Sequence, residues 1–369
     1  MSPLQDAPPR TAAPRTAGVH RAPVVGGLVL RARGGRLSLR IEVRPVAVSL
    51  ALVLALVLIT GLTLTTGDFQ LSVGEAFEAL IGQGSGSADF IVNTLRLPRL
   101  LTALFVGASL AVSGAVLQSL TRNALGSPDI IGFTNGSATG ALVVIIVLHG
   151  SMTQIALGAL IGGLATALVV YLLAFTRGPQ GFRLVVMGIG VSAILLAANS
   201  YLITRASLQD ALAAQTWLVG SLNSRTWDQA TTVGIALAIL LPVAVRFARR
   251  LSMLEMGDDT ARALGVDAGR SRLVLLVVSV GLAAVATAAT GPIWFIALAA
   301  PQLSRRLTRS AGPGLVTAAL MGAALLAVSD FAVQRIFSPA LLPVGTATGT
   351  IGGLYLIWLL VTESRKSRA

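Results

Sequence analysis

Residues that could carry out covalent chemistry are scarce in this chain. It contains no cysteine and only two histidines, His20 and His149, so disulfides, cysteine–histidine zinc sites and a histidine general base are poorly supported. Lys366 is the only lysine, and it lacks the glycine-rich loop of a nucleotide-binding P-loop. The sequence therefore predicts a protein that is not an enzyme and holds no cofactor or metal. If ATP drives it, another subunit must hydrolyse the ATP.

The apolar composition predicts a membrane protein. Of its 369 residues, 54% are hydrophobic and 12% are charged. A membrane-spanning helix needs about 20 mostly apolar residues. The long apolar runs lack the alternation of a membrane β-barrel, so they are interpreted as helices. The predicted class is an all-α polytopic membrane protein with about ten spans, placed near residues 46–66, 97–119, 128–148, 152–175, 184–204, 230–248, 273–290, 293–308, 314–335 and 344–362.

The distribution of charge predicts the orientation of these spans. The formal charge is +13, but the basic residues lie in the tails and between the spans rather than on one face, which argues against nucleic-acid binding. Placing both termini in the cytoplasm makes every cytoplasmic connection basic. Residues 1–45 are interpreted as a disordered cytoplasmic tail rather than a secretory signal, 46–363 as the membrane domain and 364–369 as a cytoplasmic tail.

Small residues recur at helical spacing in the third and fourth predicted spans. Gly132, Gly136 and Gly140 lie in the third, and Gly158 and Gly162 lie in the fourth. Glycine at every fourth position leaves a flat stripe on which a neighbouring helix can pack closely. This pattern predicts helix packing, with lining of a substrate path as the less favoured alternative.

Two arginines mark the predicted outer end of the second span. In Arg96-Leu97-Pro98-Arg99, the proline suits the first turn of a helix, and the arginines lie three residues apart on one side of it. Arg335 lies at the outer end of the ninth span, also against the charge rule. The residues either anchor the helices to lipid phosphates or form a docking surface for an acidic extracellular partner.

The longest internal connection, 249–272, contains a predicted short helix. Within it, residues 257–266 combine an acidic start, alanines, a leucine and a closing glycine. A helix of two turns is unstable alone, so it must pack against something. Besides a solvated loop, we consider a lever in a groove of a cytoplasmic partner, with Ala261 and Leu264 forming its apolar edge.

These segments together resemble the FecCD-type permeases, the membrane subunits of ABC importers for iron-siderophores, haem and cobalamin. The resemblance covers about residues 46–363 and rests on six motifs in family order and spacing. The motifs are Leu95–Arg99; Gly107–Gln118 with Arg122-Asn123-x-Leu125; Trp217-Leu218-x-Gly220-Ser221-Leu222; Gly257–Val266; Gly291-Pro292-Ile293-x-Phe295-Ile296-x-Leu298 with Pro301 and Arg305; and Leu342-Pro343-x-Gly345.

The resemblance implies a type II ABC importer permease fold in the cytoplasmic membrane of a bacterium. It implies as partners a second permease, two ATPase subunits and an extracytoplasmic binding protein for the siderophore. It assigns docking of that protein to Arg96, Arg99 and Arg335, and a cytoplasmic gate to Asn123 and Leu125. It assigns coupling to the ATPase to Gly257, Asp258, Asp259, Ala261, Arg262, Leu264 and Gly265. The bend 126–133 looks most like permeases for catecholate siderophores of the ferric-enterobactin type.

The sequence departs from the family at three positions. Ala124 replaces a usual proline, Ala297 a frequent glycine and Gln302 a frequent histidine, as would suit one member of a heterodimer. An ion-coupled secondary transporter is an alternative, with Asp330 as its clearest intramembrane carboxylate. An intramembrane enzyme is a further alternative, but His149 lies in a predicted loop. The identity of the siderophore stays open.

Overall fold

The computed structural model describes residues 20–24, 27–31, 38–129, 132–175, 181–310, 312–337 and 342–366. Residues 1–19 and 367–369 of the predicted tails lie outside this range, as do Ile130 and Ile131 of the predicted bend. The chain divides into two units, Met1–Ala47 and Val48–Ala369.

The N-terminal unit contains a three-stranded antiparallel sheet. Its strands are β1 His20–Val24, β2 Gly27–Arg31 and β3 Ser38–Glu42, paired in chain order. The prediction of disorder is therefore wrong for these segments. The arginine content suggested disorder, but the polar and apolar residues of Ser38-Leu39-Arg40-Ile41-Glu42 alternate with the period of a strand. The all-α class applies to the membrane domain.

The rest of the described residues form thirteen helices and the connections between them. They are α1 Val43–Thr65, α2 Val73–Leu80, α3 Gly86–Thr121, α4 Phe133–Val147, α5 Met152–Phe175, α6 Gly181–Arg205, α7 Leu208–Val219, α8 Trp227–Glu255, α9 Asp258–Ala263, α10 Ala268–Thr290, α11 Ile296–Thr308, α12 Leu315–Ile336 and α13 Val344–Lys366. Within the described residues, seven are long and apolar enough to cross a membrane: α1, α3, α5, α6, α8, α10 and α12. The shorter α4 and α11, together with α13, occupy the three remaining predicted spans.

We name the two ends of the helix bundle after the orientation predicted from charge. The outer end carries Arg96 and Arg335, and the inner end carries the basic connections. The helices α2 and α7, which were not among the predicted spans, lie in connections at the outer end, and α9 lies at the inner end. These short helices are too short to cross a bilayer, so they belong to its surfaces.

Helix α3 forms the centre of the membrane domain. It packs against α8, α10, α11 and α12, and nearly every residue from Thr102 to Leu120 is buried. The helix begins at Gly86, earlier than predicted, and its segment Phe90–Arg96 is π-helical. Pro98 follows this segment and lies in the first turn of the α-helical part, where its missing N–H needs no partner. A wider turn thus lets one helix continue into a proline that would otherwise end it.

The eighth predicted span is only partly helical. It was predicted over 293–308, whereas α11 begins at Ile296 after a non-helical segment in which Gly291, Pro292 and Ile293 are buried. Irregular backbone is tolerated at membrane depth only where protein surrounds it. Here the surrounding protein is the connection after α7 and the start of α13, described below.

The glycine stripe packs α4 against α5, as predicted. A Cβ atom on Gly140 would lie 2.0 Å from the Gly158 carbonyl oxygen, and one on Gly162 would lie 2.3 Å from the Gly136 oxygen. Both distances are far below van der Waals contact, so the two backbones touch directly. Gly132 instead precedes α4, with a φ of 84° that favours glycine.

Candidate functional site

The guanidinium of Arg99 is bound inside the protein at the outer end. Its Nε donates to Asp330 Oδ2 at 2.9 Å, and its Nη2 donates to Oδ1 at 2.8 Å. The side chains are 16% and 5% exposed, and Gln334 Nε2 also donates to the carboxylate. This two-pronged ion pair joins α3 to α12, so two of the five N–H donors of Arg99 are used within the subunit.

Arg96 and Arg335 form the more open part of the outer basic surface. Arg96 donates from Nη1 to the Leu64 carbonyl oxygen at 2.6 Å and from Nη2 to the Phe69 carbonyl oxygen, so it holds the connection after α1. Arg335 stacks on Phe331 at 5.5 Å from the ring centre. Arg96 and Arg335 also lie within electrostatic range of each other. Of the three arginines assigned to docking, Arg335 thus has the fewest polar partners in the described residues.

Three of the six motifs meet at one point of the outer end, which we call the glycine junction and define by Gly220, Gly291 and Gly345. A Cβ on Gly220 would lie 2.2 Å from the Pro292 oxygen, and one on Gly345 would lie 1.6 Å from the Val219 oxygen. The Gly345 N–H donates to the Gly220 oxygen at 3.1 Å, and the Ser221 N–H donates to the Thr290 oxygen at 2.8 Å. Glycine is needed here because three backbone segments occupy the space of a side chain.

The predicted gate residues lie in a tight, exposed bend after α3. Asn123 Oδ1 accepts a hydrogen bond from the Leu125 N–H at 2.9 Å, and Leu125 is 39% exposed. The chain reverses at Arg122, whose φ is 51°. From Gly126 to Pro128 the chain is buried again, so the bend is a short projection anchored at both sides.

Helix α11 connects this bend with the end of α8. Gln302 Nε2 donates to the Ala124 carbonyl oxygen at 2.6 Å. One turn later, Arg305 Nη2 donates to Ser119 Oγ at 2.7 Å and to Glu255 Oε1 at 2.9 Å. Two of the three positions at which this sequence departs from the family, 124 and 302, are therefore in direct contact.

The predicted coupling helix is present as α9. It begins after Gly257, whose φ is 113°, and it is pinned by an ion pair of 2.7 Å between Asp258 Oδ1 and Arg272 Nη2. The pair Asp259–Arg262 lies on its exposed surface, as predicted. Arg122 Nη1 lies 3.7 Å from the place where a Cβ on Gly257 would begin, so the start of α9 adjoins the bend after α3.

The predicted apolar edge of this helix is divided between two environments. Ala261 is completely buried, whereas Leu264 is 57% exposed. The prediction that both residues face a partner is therefore wrong for Ala261. Because the helix is too short to be stable alone, it uses its alanine to pack on the membrane domain, and this leaves Leu264 as its free apolar side chain.

Sequence reasoning did not assign roles to Glu255, Ser119 or Arg305, which join the inner ends of three helices. Its motif and its charge place Arg305 in an inner connection, but neither predicts its partners. No spacing in the sequence relates positions 255 and 305, because ion pairs between helices depend on which helices pack together. The structure also gives Asp330 a partner that its isolated position did not indicate.

Comparison with known proteins identifies the family of this chain. Residues 52–362 match the model of the FecCD transport family. The chain belongs to the FecCD transport family. This FecCD chain is 48% identical over 303 residues to the ferric enterobactin transport system permease protein FepG of Escherichia coli K12, covering 82% of this chain and 92% of FepG. It is 37% identical over 344 residues to the achromobactin transport system permease protein CbrC of Dickeya dadantii, covering 92% and 98% of the two chains.

A solved structure has the same fold as this FecCD chain. It is an inward-facing conformation of a protein described as a metal-chelate type ABC transporter, with a TM-score of 0.76 and 29% sequence identity. The match covers 86% of this chain and 99% of the other. The fold and the multi-pass membrane character therefore follow from both sequence and structure.

Proposed function

We propose that this chain is the membrane-spanning permease subunit of an ATP-driven importer that carries an iron-siderophore complex across the cytoplasmic membrane, with a catecholate siderophore as the favoured cargo. The observation that carries this proposal is the 48% identity to a ferric enterobactin permease over 92% of the length of that protein. The geometry disfavours an ion-coupled transporter, because Asp330, the carboxylate on which that alternative depended, is held by Arg99 and Gln334.

The proposed assembly contains two permeases, two cytoplasmic ATPase subunits and an extracytoplasmic binding protein. Both termini of the permease would lie in the cytoplasm, because this orientation places the basic connections inside. The contact between Gln302 and Ala124 supports a bend whose geometry is adapted to this chain. Such adaptation fits a heterodimer in which the second permease keeps the commoner residues.

We assign coupling to α9 and gating to the bend at Asn123 and Leu125, and the contacts at the inner end suggest how the two communicate. A partner that moves α9 would act on Glu255, which lies just before the helix. Glu255 contacts Arg305, and Arg305 contacts Ser119 in the last turn of α3, directly before the bend. Gln302 on the same helix holds the bend itself. Helix α11 can thus transmit a displacement from the ATPase side to the gate.

Docking of the binding protein is assigned mainly to Arg335, with Arg96 in support. Arg99 contributes by holding α3 to α12 rather than by offering a free charge. Exposed ion pairs each contribute about 0.2–1 kcal/mol, so docking through this surface is expected to depend on several contacts and on salt.

Two measurements test the proposal. In a strain that lacks this permease, the wild-type chain should restore uptake of a radiolabelled ferric catecholate but not of a ferric hydroxamate, haem or cobalamin. Restoration of haem or cobalamin uptake instead would refute the proposed cargo. Uptake that persists without the ATPase would refute the importer class.

The second measurement is co-purification of the ATPase with Leu264→Asp. Burial of a leucine is worth roughly 1.5–3 kcal/mol, so its loss should weaken ATPase binding by roughly 10- to 150-fold. Leu208→Asp is the control, because Leu208 is 79% exposed at the opposite end of the bundle. Retention of the ATPase by both variants would remove α9 from the coupling interface.

A further inference from the structure

A groove runs along the outer half of the membrane domain between α5 and α8. Within the described residues, both helices pack along α10 but not along each other. The space between them is a cavity of about 310 Å³ whose floor includes Val285 and Ala288 of α10. One wall is the face of α5 that carries Ala156, Leu157 and Leu160. Since α5 begins at Met152, the groove extends about 12 Å into the membrane, within one leaflet.

Arg225 closes the outer end of this groove. It lies in the connection between α7 and α8, where its Nε donates to the Ser221 carbonyl oxygen at 3.2 Å. In the part of the chain that the structure describes, this guanidinium forms no ion pair, and its hydrogen bond is the one to the Ser221 oxygen. Burial lowers the pKa of Arg225 below its ordinary value, as expected for a partly desolvated charge without a counter-ion.

A second cavity begins on the other side of Arg225. It has a volume of about 490 Å³ and is lined by His149, Asp210 and Trp217, among others. His149 Nδ1 lies 3.8 Å from Asp210 Oδ1. Arg225 therefore lies between the two cavities. Within the groove, the polar residues Thr153, Asp228 and Gln229 lie in the first turns of α5 and α8, beside Arg225. The lining deeper in the membrane is apolar except for Thr232.

We propose that this groove binds a phospholipid, with the lipid phosphate on Arg225 and one acyl chain along α10 between α5 and α8. The order of chemistry along the groove matches the molecule: polar side chains for the head group and a cation for the phosphate lie at the outer end, and the lining beyond them is mostly apolar. Asp210 and Asp228, which line the two cavities beside Arg225, suit the amine of an ethanolamine head group.

This inference does not depend on the cargo of the importer. It requires only that the chain spans a membrane, so failure of the lipid site would leave the proposed function untouched. The function of the bound lipid would be structural, because it would fill the space between α5 and α8 at the level where the outer connections begin.

The test is native mass spectrometry of the purified transporter with added dioleoyl phosphatidylethanolamine, together with the thermal shift that the lipid produces. Arg225→Ala should weaken lipid binding about tenfold, because it removes a charge-assisted contact to phosphate. Ala288→Leu should weaken it by filling the floor of the groove, and Arg225→Lys should keep most of it. The matched control is Arg205→Ala, which removes another outer arginine that stacks on Tyr201 away from the groove.

Three results would overturn the proposal. One is lipid binding by Arg225→Ala and Ala288→Leu equal to that of the wild type. Another is an equal thermal shift with inorganic phosphate alone, which would indicate an anion site without an acyl chain. The third uses Leu157→Cys, which introduces a single cysteine because the wild-type chain has none. Cross-linking of this residue to the second permease would show that the groove is a subunit interface.

Discussion

The outer and inner ends of the helix bundle are held together by different kinds of contact. At the outer end, the glycine junction packs backbone on backbone, and Arg99 is locked on Asp330 by two hydrogen bonds. At the inner end, the links are side-chain contacts: Gln302 to Ala124, Arg305 to Glu255 and Ser119, and Asp258 to Arg272. Backbone packing has one arrangement, whereas side-chain hydrogen bonds can exchange partners. The difference indicates a stiff outer end and an inner end able to move when α9 is displaced.

The first prediction has the largest expected effect and tests whether the Arg99–Asp330 pair stiffens the outer end. Arg99→Ala would leave the Asp330 carboxylate, which is 5% exposed, without its charged partner and with the Gln334 amide as its remaining donor. Breaking a buried pair by removing one member costs about 3–5 kcal/mol, whereas Arg99→Met combined with Asp330→Leu should recover most of the loss. The measurement is the thermal stability of the purified transporter. An unchanged stability of Arg99→Ala would mean that this pair does not hold the outer end.

The second prediction concerns the glycine junction. Gly345→Ala would place a methyl group 1.6 Å from the Val219 oxygen and should destabilise the protein by about 1–3 kcal/mol. The control lies on the same helix: a Cβ on Gly349 meets nothing within 4 Å, so Gly349→Ala should be neutral or slightly stabilising. The comparison of their melting temperatures is direct, and similar values would contradict the close packing assigned to the junction.

The third prediction concerns the inner end and separates coupling from stability. Glu255→Gln removes the charge opposite Arg305 in a pair whose side chains are 21% and 32% exposed, respectively, and should weaken the link by about 1 kcal/mol. We expect the ATPase to co-purify normally while substrate transported per ATP falls roughly fivefold. Glu78→Gln, at an exposed position on α2, provides the control. If Glu255→Gln changed melting temperature but not the transport ratio, the contact would be structural only.

The smallest expected effect is at the outer surface. Arg335→Glu should weaken association of the binding protein by about 0.2–1 kcal/mol per contact, mostly through a slower association rate at low salt. Combining Arg335→Glu with Arg96→Glu should weaken the association of the binding protein further. Association kinetics at two salt concentrations measure this. Kinetics that respond equally to Arg205→Ala would indicate a general charge effect rather than a docking site.

The sequence by itself determined the class and the plan of this protein. Hydropathy and charge are properties of local segments, so they identified the spans and their predicted orientation without knowledge of how the helices pack. The six motifs, read in order, identified the family. Local capping residues also predicted a short helix within 257–266, where α9 spans Asp258–Ala263.

Only the tertiary structure decided which of the singled-out residues are free and which are engaged. Arg99 and Asp330 are 231 residues apart, and nothing local to either one predicts their ion pair. Likewise, Ala261 and Leu264 are equivalent in a helical pattern, yet one packs on the membrane domain and the other is exposed. The direction of a side chain depends on what lies opposite it, and that is set by helix packing, which brings together residues from distant parts of the chain.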